Sequence, residues 1–143
     1  MASYATSADM IARFSEQQLK EVTDPDVETI RTDALARALE DASDEIDGYL
    51  EGRYRLPLPN PPRSLRVIAC NIAMYRLLTL RQIDVMEDQR KRYEDAVKFL
   101  RGVAAGDINL GLTPADQTVT PAGGPAMREG PARTFSRDRL RGY

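Results

Sequence analysis

The chain has no histidine in its 143 residues. That removes the commonest general base and the commonest metal ligand together. Its serines therefore have no imidazole to activate them, and tryptophan is absent as well. A single cysteine, Cys70, rules out any disulfide within the chain and makes a reducing compartment the expected setting. No apolar run approaches the roughly 18 residues of a membrane span. The opening "MASYATSADM" has neither basic flank nor apolar stretch, so no secretory signal is expected. The glycines of "GDINLGL" and "AGGPAM" do not fall in a phosphate-binding pattern and read as turns.

What is present fits one domain of ordinary soluble composition, 42% hydrophobic and 29% charged. The net charge of −2 hides an uneven spread. Residues 1–52 carry 13 acidic and 4 basic side chains, residues 53–110 carry 6 and 11, and residues 111–143 carry 3 and 5. Such a chain can pair with copies of itself or fold its halves together, and the asymmetry does not choose between them.

Apolar spacing predicts helices throughout. Ser7 can cap "ADMIARF", with Met10, Ile11 and Phe14 on one face. Ser15 and Gln18 form a capping-box pattern ahead of Leu19 and Val22. Asp24 before Pro25 suits an N-cap for a short turn. The longest helix is expected over Asp33–Tyr54, where Leu35, Leu39, Ala42, Ile46 and Leu50 draw one stripe. Gly48 lies inside it and permits close approach of a neighbouring helix. "LPLPNPP" ends it, because proline lacks the N–H that a helix interior requires. A second long helix follows from about Arg63 to Leu80, burying Leu65, Ile68, Ala69, Ile72, Ala73 and Leu80. A third runs from about Val85 to Ala105, with Met86, Tyr93, Val97, Leu100 and Val103 on one side and Gly106 as its stop. The fold class is thus all-α: a small helical bundle over residues 1–111, followed by an extended, irregular arm over 112–143. That arm is rich in proline and glycine, yet "RTFSRDRLRGY" spaces Phe135, Leu140 and Tyr143 among arginines, a pattern suited to ordering on a partner.

Three features invite a chemical reading. Asp44, Asp47 and Glu51 share a helix face and could offer oxygen ligands to Mg²⁺ or Ca²⁺, but no second cluster supplies the rest of a site. Their repulsion is relieved more easily by the basic face of another subunit. Cys70 has aliphatic neighbours and reads as a core thiol. Basic residues from Arg90 to Arg101 could neutralise phosphates, but Glu87, Asp88, Glu94 and Asp95 interleave with them, which favours local ion pairs. Before the proline turn, Tyr49, Arg53, Tyr54 and Arg55 combine residue types enriched at interface hot spots. Tyr54 and Leu56 can equally fold back and close the local core.

The stretches "DALARALEDASDEIDGYLEGRYRLPL" and "PRSLRVIACNIAMYRLL" resemble the Mu-type phage and prophage family of small neck proteins. "YATSADMIARFSEQQLKEVTD" is similar to that family's N-terminus and "RTFSRDRLRGY" to its C-terminus, with a variable linker from about Leu112 to Pro131. The resemblance implies a head–tail connector, or adaptor, that completes the head. Such proteins form a homo-oligomeric ring beneath the portal, expected to be twelve-fold, and are not enzymes. The C-terminal arm would dock on the portal protein through Arg133, Phe135, Arg137, Leu140 and Tyr143. Tyr49, Arg53, Tyr54, Leu56 and Pro57 would lie at or near subunit contacts. Asp44, Asp47 and Glu51 are candidates for a channel wall past which DNA slides without specific binding. Other neck and tail-completion proteins are implied as partners, and no cofactor, metal or membrane. The expected location is the virion's head–tail junction, reached from the host cytoplasm during assembly. Two rival readings remain at this level: a helical DNA-binding or packaging accessory protein, and a metal-dependent hydrolase.

Overall fold

The computed structural model describes residues 3–24, 26, 29–80 and 87–112. It contains α1 (Ser7–Phe14), α2 (Glu16–Thr23), α3 (Thr32–Leu50), α4 (Arg63–Leu80) and α5 (Glu87–Ala105), with no strand among the described residues. The three long helices pack on one another, and α1 and α2 form a short pair whose contacts reach α3 and α4.

The centre of the body is α4. It meets every other helix, and Leu65, Ile68, Ala69, Cys70, Ile72, Ala73, Met74, Leu77 and Leu78 are all buried. A helix apolar on more than one side has to sit between neighbours, since a single stripe covers only one of them. Leu80, expected in the buried face, is 74% exposed because the stripe runs off the last residue of the helix. The predicted stripe of α3 is buried at every position. On α5, Ala96, Leu100 and Val103 are buried while Tyr93 and Val97 are half-buried; Met86 lies outside the described residues.

The N-terminal caps correct one expectation. Thr6, not Ser7, caps α1: its hydroxyl accepts from the Asp9 N–H at 3.3 Å, and the Asp9 carboxylate accepts from the Thr6 N–H at 2.9 Å. Thr6 leaves Asp9 at the third helical position, where its carboxylate can close a reciprocal box. Ser15 does cap α2 by accepting from the Gln18 N–H at 3.5 Å. Ile11 is 39% exposed, one step round from buried Met10. Asp24 ends α2 in extended geometry and accepts from the Asp26 N–H at 3.2 Å, as an N-cap does, while Pro25 and residues 27–28 of the expected short turn lie outside the described residues. Thr23 then links α2 to α3, donating to the Leu19 carbonyl at 2.7 Å and accepting from the Arg31 N–H at 3.4 Å.

Helix α3 stops at Leu50 rather than Tyr54. The N–H groups of Arg53 and Tyr54 both turn back to the Leu50 carbonyl, at 2.9 and 2.8 Å, which carries the Tyr54 ring into the core. Leu58 follows it inside, and Leu56 packs against the same core half-buried. The Leu56–Pro57 peptide bond is cis. Gly48 serves no close approach among the described residues: a side-chain carbon there would meet nothing within 4 Å. Gly106 does stop α5, at φ +94°, and the Arg53 guanidinium lies where its side chain would have been.

Candidate functional site

Two polar networks fix the body and consume side chains that would otherwise be surface. Between α3, α4 and α5, Arg76 donates to Glu45 Oε2 at 2.7 Å and the Tyr93 hydroxyl donates to Glu45 Oε1 at 3.1 Å. Tyr75 stacks on Tyr93 with ring centroids 4.2 Å apart and planes 8° from parallel. Burial pushes the Tyr93 phenol up, and the Glu45 charge adds to this. At the N-terminus the Tyr4 hydroxyl donates to the Asp47 carboxylate, and its backbone N–H donates to Ser43 Oγ at 3.3 Å. Burial, then that bond to Asp47, raises the Tyr4 phenol far above its ordinary range.

The predicted acidic set therefore splits. Asp47 is half-buried and engaged by Tyr4, so it serves the fold. Asp44 and Glu51 are exposed. With Glu40 and Asp33 they lie on the side of α3 opposite the buried stripe, where Arg37 is the one basic residue among them. Among the described residues, no three Asp, Glu, Cys or His side chains converge into a group able to hold a metal ion.

The Tyr–Arg cluster is drawn largely inward. The Tyr54 ring is 2% exposed and its hydroxyl accepts from the Leu110 N–H at 3.4 Å, so it closes the core instead of offering surface. Arg53 is half-buried beside that ring, at 6.0 Å from its centroid, and its Nε has no hydrogen-bond partner among the described residues. Tyr49 and Leu56 are half-buried, and Pro57 is exposed. The arm positions Arg133, Phe135, Arg137, Leu140 and Tyr143 lie outside the described residues.

One surface went unread in the sequence. Arg13 from α1 and Arg63 and Arg66 from α4 line a groove of about 240 Å³ with Asp9 and Val67, and Cys70 forms part of its wall. Arg13 Nε donates to Asn71 Oδ1 at 3.3 Å, Arg66 reaches Asp9 only at 3.8 Å, and Arg63 makes no polar contact among the described residues. Asp9 is committed to its cap, and the Thr6 backbone N–H holds its carboxyl below the usual range. The groove is thus basic on balance. Burial pushes the Cys70 thiol up to about 11, which keeps it protonated and unreactive at neutral pH. The one-turn spacing of Arg63 and Arg66 was visible in the sequence; the arrival of Arg13 depends on how α1 crosses α4. On α5 the interleaved charges pair locally, Lys91 with Glu87 at 3.1 Å and Arg90 with Glu94 at 3.9 Å. No helix among the described residues is long and apolar enough to cross a membrane.

Comparison with known proteins gives this helical body a lineage. The chain is 38% identical over 144 residues to the Mu-like prophage FluMu protein gp36 of Haemophilus influenzae, covering 100% of this chain and 99% of that protein. It is 35% identical over 112 residues to gene product J of Escherichia phage Mu, covering 77% of each. The family model described as Bacteriophage Mu, Gp36 matches residues 4–129, which takes in all five helices and the proline turn. The protein belongs to the Bacteriophage Mu Gp36 family.

Proposed function

We propose that this protein is a structural component of a Mu-type virion: a head–tail connector whose copies ring the neck beneath the portal. In this reading the helical body forms the ring and the arm from Leu112 to Tyr143 docks on the portal protein. Arg133, Phe135, Arg137, Leu140 and Tyr143 are its anchors. The observation that carries the reading is membership of the Mu family combined with this division of the chain. The five helices close their own core by Leu112, and the remaining sequence is proline- and glycine-rich with spaced basic and aromatic residues. A segment of that composition cannot bury enough apolar surface alone and gains order from a partner.

The test is immunogold labelling of purified particles viewed by electron microscopy. Label at the head–tail junction is the expected result, and intact particles with accessible necks but no label would refute it. The arginine groove favours one second reading, a DNA-packaging accessory. That reading requires DNA binding by the free protein that weakens steeply as salt rises.

A further inference from the structure

Resting on the ring reading, we infer that the Arg13–Arg63–Arg66 groove of one copy receives the outer face of α3 from the next copy, with Glu40 and Asp44 as the entering carboxylates. A ring of identical subunits needs two different faces that fit each other, because its interface is head-to-tail. The body carries two such faces with opposite charge. One is the groove, concave, with Arg63 unpaired among the described residues and Arg66 held only loosely. The other is the exposed side of α3, where Glu40 and Asp44 stand without an ion pair or hydrogen bond among the described residues.

Their spacing also matches. Glu40 and Asp44 are one helical turn apart, a rise of about 6 Å, and Arg63 and Arg66 rise by about 4.5 Å along α4. Two carboxylates on one helix can therefore meet two guanidiniums on another side by side, a geometry to which arginine is suited by its planar fork. The faces cannot satisfy each other within one copy. The carboxylates point away from the core stripe that packs α3 against α4, whereas the groove lies on α4 itself, beside α1. This assignment takes Asp44 out of a channel wall and places it between subunits. Pairs of this kind fix register and partner choice more than they add affinity.

The experiment is a charge swap read in purified particles. Four chains are compared: wild type, a face variant (Glu40→Arg with Asp44→Arg), a groove variant (Arg63→Glu with Arg66→Glu), and a chain carrying all four substitutions. Each must match the wild-type circular dichroism and melting profile before use. Copies per particle are then measured by quantitative immunoblot. The expected result is a loss of about tenfold or more for each single-face variant, and recovery in the four-substitution chain, whose reversed faces again match. Retention of either single-face variant at the wild-type level would overturn the pairing. So would loss without recovery in the swapped chain, since the faces would then meet something else, such as the portal or DNA. The two readings fail separately: wild-type protein missing from the particles removes the ring reading and this inference with it. Wild-type protein at the neck beside unaffected variants removes the face pairing alone.

Discussion

Glu45 offers the sharpest test of how α3, α4 and α5 hold together. Its carboxylate, 16% exposed, accepts from Arg76 at 2.7 Å and from Tyr93 at 3.1 Å. A hydrogen bond to a charged group contributes about 1.5–3 kcal/mol, so the pair would reach roughly 3–6 kcal/mol if fully shielded. Two observations reduce that. Arg76 is 37% exposed, so water can take over part of its guanidinium, and Asp41 stands 3.9 Å from it as a second acceptor. Against this, Arg76 Nε is buried without a partner among the described residues, so removing Glu45 leaves the guanidinium with still fewer acceptors. Glu45→Ala is therefore expected to cost about 2 kcal/mol, and Glu45→Gln, which keeps one acceptor in place, about 1 kcal/mol. In a thermal melt followed by circular dichroism, about 2 kcal/mol lowers Tm by roughly 8 °C for a chain of this size. A double-mutant cycle with Tyr93→Phe should return a coupling of about 0.5–1.5 kcal/mol. A Glu45→Ala protein within about 0.5 kcal/mol of wild type, the range of an ordinary surface substitution, would refute the reasoning. Strict additivity with Tyr93→Phe would do the same.

Other perturbations should separate just as clearly. Gly48→Ala, on an exposed helical position with nothing within 4 Å, should raise stability by up to about 1 kcal/mol in urea unfolding. Ile72→Ala, at a fully buried site on the central helix, should cost about 2–5 kcal/mol in the same assay. Tyr4 and Tyr93 both hold their protons above the ordinary value of 10.0, through burial first and then the carboxylates of Asp47 and Glu45. In the unfolded chain they ionise first, so their contribution to stability is complete below about pH 10 and is lost as pH climbs through the folded-state values. Tyr4→Phe should flatten that alkaline decline, measured as Tm against pH. Deleting Thr134–Tyr143 should leave the melt of the body unchanged while abolishing incorporation into particles; infectious virions carrying the truncated chain would count against the arm.

The sequence reveals the helices because a stripe such as Leu35–Leu39–Ala42–Ile46–Leu50 repeats at helical spacing whatever it packs against. It says less where burial comes from several directions. In α4, Met74, Leu77 and Leu78 were not needed to complete the predicted face, and they are buried because neighbouring helices cover other sides. Boundaries moved where a side chain had a better use, as when Tyr54 left the end of α3 for the core. The acidic face was legible as a spacing, but the departure of Asp47 from it was not, since Tyr4 is distant in sequence and reaches Asp47 only through the packing of the N-terminus on α3. The arginine groove was missed for the same reason: Arg13 and Arg63 are brought together by tertiary structure alone.

The hydrogen bond from Leu110 to Tyr54 has a mechanical consequence. Leu110, near the end of the described residues, is tied to a ring seated in the core at the α3–α4 turn, with Arg53 lying over Gly106 beside it. Tension applied to the C-terminal segment is thus delivered to the proline turn as well as to the end of α5. The tether has two footings, and its point of departure is set by the rigid bundle. A pull that enters at Leu110 therefore bears on the α3–α4 turn and on α5 together.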